Sequence, residues 1–175
     1  MYTRAFHSLL TMKAKNRIEI FNNVRDLPFK ITGKDSMYCS KKCTLLKRRL
    51  ANIGIESKIM IGNFKWTDIA LPKNIIQLIN KDREQHAFLR VCIPETKKWV
   101  DVDPTWDNSL RDVFQISKWD GKNDTILMTK LSKIREHKKA KFLRRLYIRI
   151  KRKFIKENNY NFYVQLDNWL DSVRK

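Results

Sequence analysis

Three residues have side chains that together can perform nucleophilic chemistry: Cys39, His86 and Asp103. A cysteine thiol with an ordinary pKa of ~8.5 is mostly protonated at neutral pH, so it reacts well only where its surroundings favour the thiolate. A helix N-terminus and a neighbouring imidazolium both favour that form. A carboxylate on the far ring nitrogen of a histidine fixes the tautomer and orientation of the ring. These residue types predict a catalytic triad in which Cys39 attacks, His86 acts as base and then as acid, and Asp103 orients His86.

The first element that must position the triad is a helix carrying Cys39. The sequence predicts a helix over residues 37–52, where leucines recur at a spacing that buries one face. Asp35 or Ser36 is a suitable N-cap, and Gly54 is a suitable C-cap. Cys39 therefore lies in the first turn of the predicted helix.

The second element is a hairpin carrying the other two residues. Residues 86–93 alternate as a strand, residues 97–102 form a second strand, and a Pro-Glu-Thr turn joins them. Because the chain returns along the neighbouring strand, we expect His86 and Asp103 to lie side by side. Further helices are predicted at 4–25, 74–80, 107–115, 131–156 and 160–173, and further extended segments at 57–62 and 125–128. This order predicts an α+β fold with an antiparallel sheet.

The motifs around these residues resemble those of the transglutaminase-like superfamily, over about residues 17–107. The segment CSKKCTLLKRRLANIGIESKIMIG resembles its active-site helix and following strand, with Cys39 in the place of the nucleophile and Lys58 at a position that is usually basic. The segment QHAFLRVCIPETKKWVDVDPTWD resembles its second and third motifs. There His86 matches the family histidine, and Asp103, directly before a Pro-Thr pair, matches the family aspartate.

The resemblance implies a transglutaminase-like, papain-like core in which a helix packs on a small antiparallel sheet. It implies thiol chemistry on an amide bond of a peptide or protein, through an acyl-enzyme that is resolved by water or by an amine. Members of the superfamily include crosslinkers, peptidases and deglycosylases, so the outcome stays open. The chain length favours hydrolysis over protein crosslinking. The backbone N–H of Cys39 is the expected oxyanion donor. No cofactor or metal is implied.

Several residues near the motifs have competing interpretations. Cys43 lies on the same helix face as Cys39, but the interval to Gly54 favours Cys39 as the nucleophile, and we expect Cys43 and Cys92 to be core residues. A zinc site formed by Cys39, Cys43 and His86 is the metal alternative, but it has no C-x-x-C pair and no evident fourth ligand.

Other polar and aromatic residues are assigned to ordinary structural roles. Asp101 is either a second polar support for the site or a solvent-facing charge, and the second interpretation is favoured. Trp99 and Trp106 are expected in the core or in a cleft wall. His7 and His137 are expected at the surface. Phe88 stands where the family more often has tryptophan.

The charge of the chain is concentrated near its end. The 175 residues contain 38 Lys+Arg and 18 Asp+Glu, a net charge of +20, and the segment 130–156 contains 13 of those cations and one acid, Glu136. We therefore expect a transglutaminase-like catalytic domain over 1–129 and a basic helical C-terminal extension over 130–175. The basic segment is either a solvated amphipathic helix or a contact surface for nucleic acid or another polyanion. A polyanion-binding protein on a transglutaminase-like scaffold is the alternative function.

Length and composition exclude several other classes. The apolar fraction of 42% and the low Gly and Pro counts argue against a disordered or collagen-like chain. We expect no signal peptide and no transmembrane segment, because no apolar run approaches the ~20 residues that span a bilayer. Three cysteines are too few for a disulfide framework, which favours a cytoplasmic location.

Overall fold

In the computed structural model, residues 15–137 and 159–175 are described. Within them, four strands form one antiparallel sheet in the order β3-β2-β1-β4. The strands are β1 (Ser57–Lys65), β2 (Arg83–Cys92), β3 (Trp99–Val102) and β4 (Ser132–Glu136). Strands β2 and β3 form the predicted hairpin, in which Leu89 pairs with Val102 and Cys92 with Trp99. The α+β fold class is therefore confirmed.

Helices cover the sheet and close the core around it. They are α1 (15–25), α2 (Cys39–Ala51), α3 (Lys73–Ile76) and α4 (Tyr160–Val173) in the described part of the chain. Helix α2 packs on β1 and β2 because Cys43, Leu46 and Leu50 recur at helical spacing and are fully buried. The predicted helix therefore exists, although it begins at Cys39, with Tyr38 as its N-cap residue.

A second cluster of buried side chains joins the end of the chain to the segments around the hairpin. Helix α4 contributes Phe162, Tyr163, Leu166 and Leu170, which pack with Trp66, Phe29 and Trp106. The buried Asp167 on α4 accepts hydrogen bonds from the backbone N–H groups of Ile31 and Thr32. Helix α4 therefore holds the segment that leads into α2, and its predicted bounds of 160–173 are confirmed.

The prediction of a helix beginning at residue 131 is wrong, because Ser132–Glu136 is strand β4. The edge of β1 offers free backbone hydrogen-bonding groups, and β4 pairs with them, placing Glu136 opposite Met60. Leu131 approaches β1 so closely that a Cβ on Gly62 would lie 2.9 Å from the Leu131 Cβ. The residues after 130 thus contribute both a strand and a core helix. The rest of the predicted basic helix falls on residues 138–158, outside the described residues.

Three smaller predictions differ from the structure in length or type. The predicted helix at 107–115 is only a 3-10 turn, Asn108–Leu110, and that at 74–80 is the single turn of α3. Residues 125–128 form no strand, although the Thr125 N–H donates to the Asp101 carbonyl at 2.8 Å. In these segments the side chains are held by contacts distant in sequence, so local patterns identify them poorly. None of the described helices is long and apolar enough to cross a membrane.

Candidate active site

His86 and Asp103 form a buried pair at the open end of the β2–β3 hairpin. The side chains are 0% and 1% exposed, and the Nε2 atom of His86 lies 2.7 Å from Oδ2 of Asp103. His86 is on β2, and Asp103 follows the last residue of β3. The hairpin geometry expected from the sequence is therefore present, and it brings the imidazole and the carboxylate into direct hydrogen-bond contact.

The Asp103 carboxylate is held from several directions. Its Oδ1 accepts hydrogen bonds from the backbone N–H (3.1 Å) and the hydroxyl (2.5 Å) of Thr105. Its Oδ2, besides facing His86, accepts one from the backbone N–H of Met128 at 2.7 Å. The Asp103 backbone N–H donates in turn to Thr125 Oγ1 at 2.8 Å. These hydrogen bonds hold both oxygens of the carboxylate in place, and the carboxylate in turn fixes the orientation of the His86 ring.

The charges of this pair stabilise each other. Burial by itself lowers the pKa of His86, but the charge and hydrogen bond of Asp103, together with the neighbouring Cys39, raise it to about 10. Burial also raises the pKa of Asp103, but His86 and the hydrogen bonds from Thr105 and Met128 outweigh that effect and hold it below its ordinary value. Each group of the pair therefore favours the charged form of the other.

Cys39 lies beside the imidazole, at the first residue of α2. It is partly exposed, and its interaction with His86 is one of the causes that raise the pKa of that histidine. Because Asp103 occupies Nε2, the nitrogen that remains for the thiol is Nδ1, which is buried and has no well-formed hydrogen bond among the described residues. Loose contacts of this kind are common in active sites without substrate. The structure thus brings all three predicted residues together.

The other two cysteines have different surroundings. Cys43 is fully buried, its thiol donates to the Ala87 carbonyl at 3.3 Å, and burial raises its pKa well above the ordinary value. It is the core residue that the sequence predicted. Cys92 was expected in the core as well, but it is partly exposed, because it ends β2 near the turn of the hairpin. Among residues 15–137 and 159–175, no group of three or more His, Cys, Asp or Glu side chains is arranged to hold a metal ion.

Asp101 does not support the site. Its carboxylate accepts two hydrogen bonds from Arg90, at 2.7 and 3.0 Å, and lies partly exposed. Trp99 does not lie in the core, because this edge-strand side chain is 38% exposed, with the Lys58 ammonium 4.4 Å from its ring centroid. Trp106 is buried as predicted, and His137 is exposed as predicted. His7 lies outside the described residues.

Sequence reasoning missed Lys42, which lies one turn after Cys39 and is fully buried. Its ammonium donates to the Arg25 carbonyl at 2.7 Å and to the Thr105 carbonyl at 2.9 Å. Burial lowers the pKa of Lys42 to about 7, although the nearby Asp107 and Asp103 carboxylates raise it. The helix pattern held a signal for it, because Lys42 falls on the same apolar face as the core residues of α2. The Met128 backbone N–H, by contrast, has no signature in the sequence.

An open cavity of about 590 Å³ lies next to the Asp103 environment. Met128, which donates to Asp103, lines it, as does Trp106, whose ring stacks on Phe114 with centroids 4.2 Å apart. Most of the remaining wall is apolar and includes Ile69 and Leu127. The cavity can therefore accept an apolar group beside the buried carboxylate.

Comparisons of this chain with protein-family models, with curated proteins and with solved structures found no match.

Proposed function

We propose that this chain is a thiol-dependent hydrolase or acyl transferase that acts on an amide bond of a peptide or protein through Cys39, His86 and Asp103. The observation that carries the proposal is the buried His86–Asp103 pair, set beside a partly exposed cysteine at the first residue of a helix. An imidazolium favours the thiolate of a neighbouring cysteine, and so does the positive end of a helix. The proximity of the three side chains supports their assignment as nucleophile, base and orienting carboxylate.

In the proposed reaction, the Cys39 thiolate attacks the amide carbonyl carbon and forms a tetrahedral oxyanion. The backbone N–H of Cys39 is a donor for that oxyanion, because the first N–H groups of a helix have no acceptor within the helix. The His86 imidazolium then gives its Nδ1 proton to the leaving amine as the C–N bond breaks, which leaves a thioester. Neutral His86 next takes a proton from water or from an amine, which attacks the thioester and releases the acid or a new amide.

Two features of the fold support a transglutaminase-like assignment of the core. The nucleophile's helix precedes the strands of the histidine and aspartate in the chain, as in the motifs that the sequence resembles. The helix also packs on an antiparallel sheet in which those two strands are neighbours.

An ester of a good leaving group tests the chemistry without knowledge of the substrate. p-Nitrophenyl acetate should transfer its acetyl group to Cys39, and the released p-nitrophenolate gives the rate. Mass spectrometry of the quenched protein should locate the acetyl group on Cys39. Decay of that thioester in water measures hydrolysis, and its faster decay with an added primary amine, with amide formed, measures acyl transfer.

Matched variants separate the site from ordinary thiol reactivity. Cys39→Ser and His86→Ala should abolish rapid acylation, whereas Cys92→Ala, which removes the other partly exposed cysteine, should leave it unchanged. Equal acylation of Cys39 and Cys92 in the folded protein, or an unchanged rate in His86→Ala, would contradict the proposal.

A further inference from the structure

Lys42 is a fully buried lysine that the proposed chemistry does not use. Lysine is almost never fully buried in proteins unless its ammonium is paired. Here both partners are backbone carbonyls, those of Arg25 at the end of α1 and of Thr105 after β3. These two segments are far apart in sequence, so the side chain joins three parts of the fold at one nitrogen atom.

One of those links leads directly to the triad. Thr105, whose carbonyl accepts from Lys42, also donates its N–H and hydroxyl to Oδ1 of Asp103. Asp103 in turn holds Nε2 of His86 at 2.7 Å. Lys42 lies three residues after Cys39 on the same helix. The side chain thus ties the helix that carries the nucleophile to the turn that holds the carboxylate.

We propose that Lys42 is a positioning residue, which sets the Asp103–His86 pair against Cys39 through the carbonyl of Thr105. The inference rests on the proposed function, because it assigns Lys42 a role in the same triad. A hydrogen bond fixes direction in a way that apolar packing does not, so this link orients the turn that carries Asp103 relative to α2.

The charges around Lys42 allow the link to persist across neutral pH. The Asp107, Asp103 and Asp26 carboxylates favour its ammonium, whereas burial and the Arg174 guanidinium oppose it, and the pKa of Lys42 falls to about 7. A neutral amine still has two N–H donors, one for each of the two carbonyls to which Lys42 donates. The position of the Thr105 turn therefore does not require the charged form.

The test is the rate of Cys39 alkylation by iodoacetamide, measured site by site with mass spectrometry across a pH series. Lys42→Met fills the same volume without the donors, and we expect Cys39 to react about three- to tenfold more slowly at neutral pH, with its pH midpoint moved upward. Lys42→Gln keeps N–H donors without a charge, should give an intermediate rate, and provides the measurement if Lys42→Met does not fold. Leu46→Ala, a fully buried apolar residue one turn further along α2, is the matched control. It should lower stability but keep the pH midpoint.

A double variant shows whether Lys42 acts through Asp103. Adding Lys42→Met to Asp103→Asn should slow alkylation no further than Asp103→Asn alone, since the pathway is already broken. The positioning role would be overturned if the double variant slowed Cys39 alkylation by the product of the two single effects. It would also be overturned if Lys42→Met had the same pH midpoint of alkylation as Leu46→Ala. Failure of the proposed function is a separate result: His86→Ala would then alkylate as fast as the unmodified protein, and both proposals would be withdrawn.

Discussion

Replacing Asp103 by asparagine changes one oxygen of the carboxylate into an N–H₂ group, and the structure determines what this does. The amide oxygen can take the place of Oδ1 and keep the two hydrogen bonds from Thr105. The amide nitrogen then occupies the place of Oδ2, where it meets the Met128 N–H and the Nε2–H of His86, both of which are donors. With the amide in this orientation, the ring becomes neutral and carries its proton on Nδ1, the nitrogen that remains for Cys39.

The magnitude follows from the loss of the imidazolium. An imidazolium favours the thiolate of a neighbouring cysteine, so loss of its charge should slow Cys39 alkylation about tenfold at pH ~7. Turnover of an acyl substrate in the proposed reaction should fall further, by ~10⁴-fold, because an imidazole with its proton on Nδ1 cannot accept the proton of the Cys39 thiol. The unpaired Met128 N–H should cost about 1–3 kcal/mol of stability.

Site-resolved alkylation with iodoacetamide measures the reactive fraction, and urea unfolding measures the stability. Asp101→Asn is the matched control, because Asp101 lies two residues earlier in the chain and its carboxylate pairs with Arg90 at a partly exposed position. It should leave the Cys39 rate within about twofold. A folded Asp103→Asn protein that alkylates at the rate of the unmodified chain would refute the reasoning, because Asp103 would then not control the charge of His86.

Three further outcomes are expected. The pKa of His86 is raised from 6.5 to about 10, so its contribution to stability is full below pH 6.5 and is lost as pH rises toward 10. The pKa of Lys42 is lowered from 10.5 to about 7, so its contribution to the free energy of unfolding increases as pH rises from 7 toward 10.5. Between pH ~7 and ~8.5, the free energy of unfolding should therefore fall with pH in Lys42→Met, where only the His86 effect remains, by up to ~1.4 kcal/mol per pH unit. It should rise with pH in Asp103→Asn, where only the Lys42 effect remains. Urea titrations measure both, and the same dependence on pH in the two variants would contradict this. Gly62→Ala should destabilise the protein by about 1–3 kcal/mol in the same assay, because its Cβ would lie 2.9 Å from that of Leu131. The cations of segment 138–156 predict binding to RNA or a heparin resin at ~50 mM salt, and this binding should weaken steeply as salt rises. Glutamine substitutions of those cations should remove the binding. Truncation is not a suitable test, because it deletes α4 from the core.

The elements that carry the site could be predicted because their signals are local. The leucines of α2 recur at helical spacing, the residues of β2 alternate, and the Pro-Glu-Thr turn has the composition of a hairpin connection. Once β2 and β3 are neighbours, His86 and Asp103 must lie close together. The direct hydrogen bond between them therefore follows from the order of the elements.

The structure of the segments after residue 103 could not be predicted in the same way. Ser132–Glu136 contains alternating charges and isoleucine, a pattern that suits an exposed helix as well as an exposed strand. It is a strand because the free edge of β1 pairs with its backbone, an interaction between residues about seventy positions apart. Edge pairing is decided by the neighbouring backbone rather than by side-chain propensity.

The sequence by itself determined the α+β class, the hairpin, and the helix that carries Cys39 in its first turn, since each depends on periodicity and turn residues within a short window. Only the tertiary structure decided that Lys42 is buried against the Thr105 carbonyl, and that the Met128 N–H lies on the Asp103 carboxylate. The physical reason is that a buried charge is stable only where distant backbone groups can satisfy it. Those groups come together only when the chain is folded.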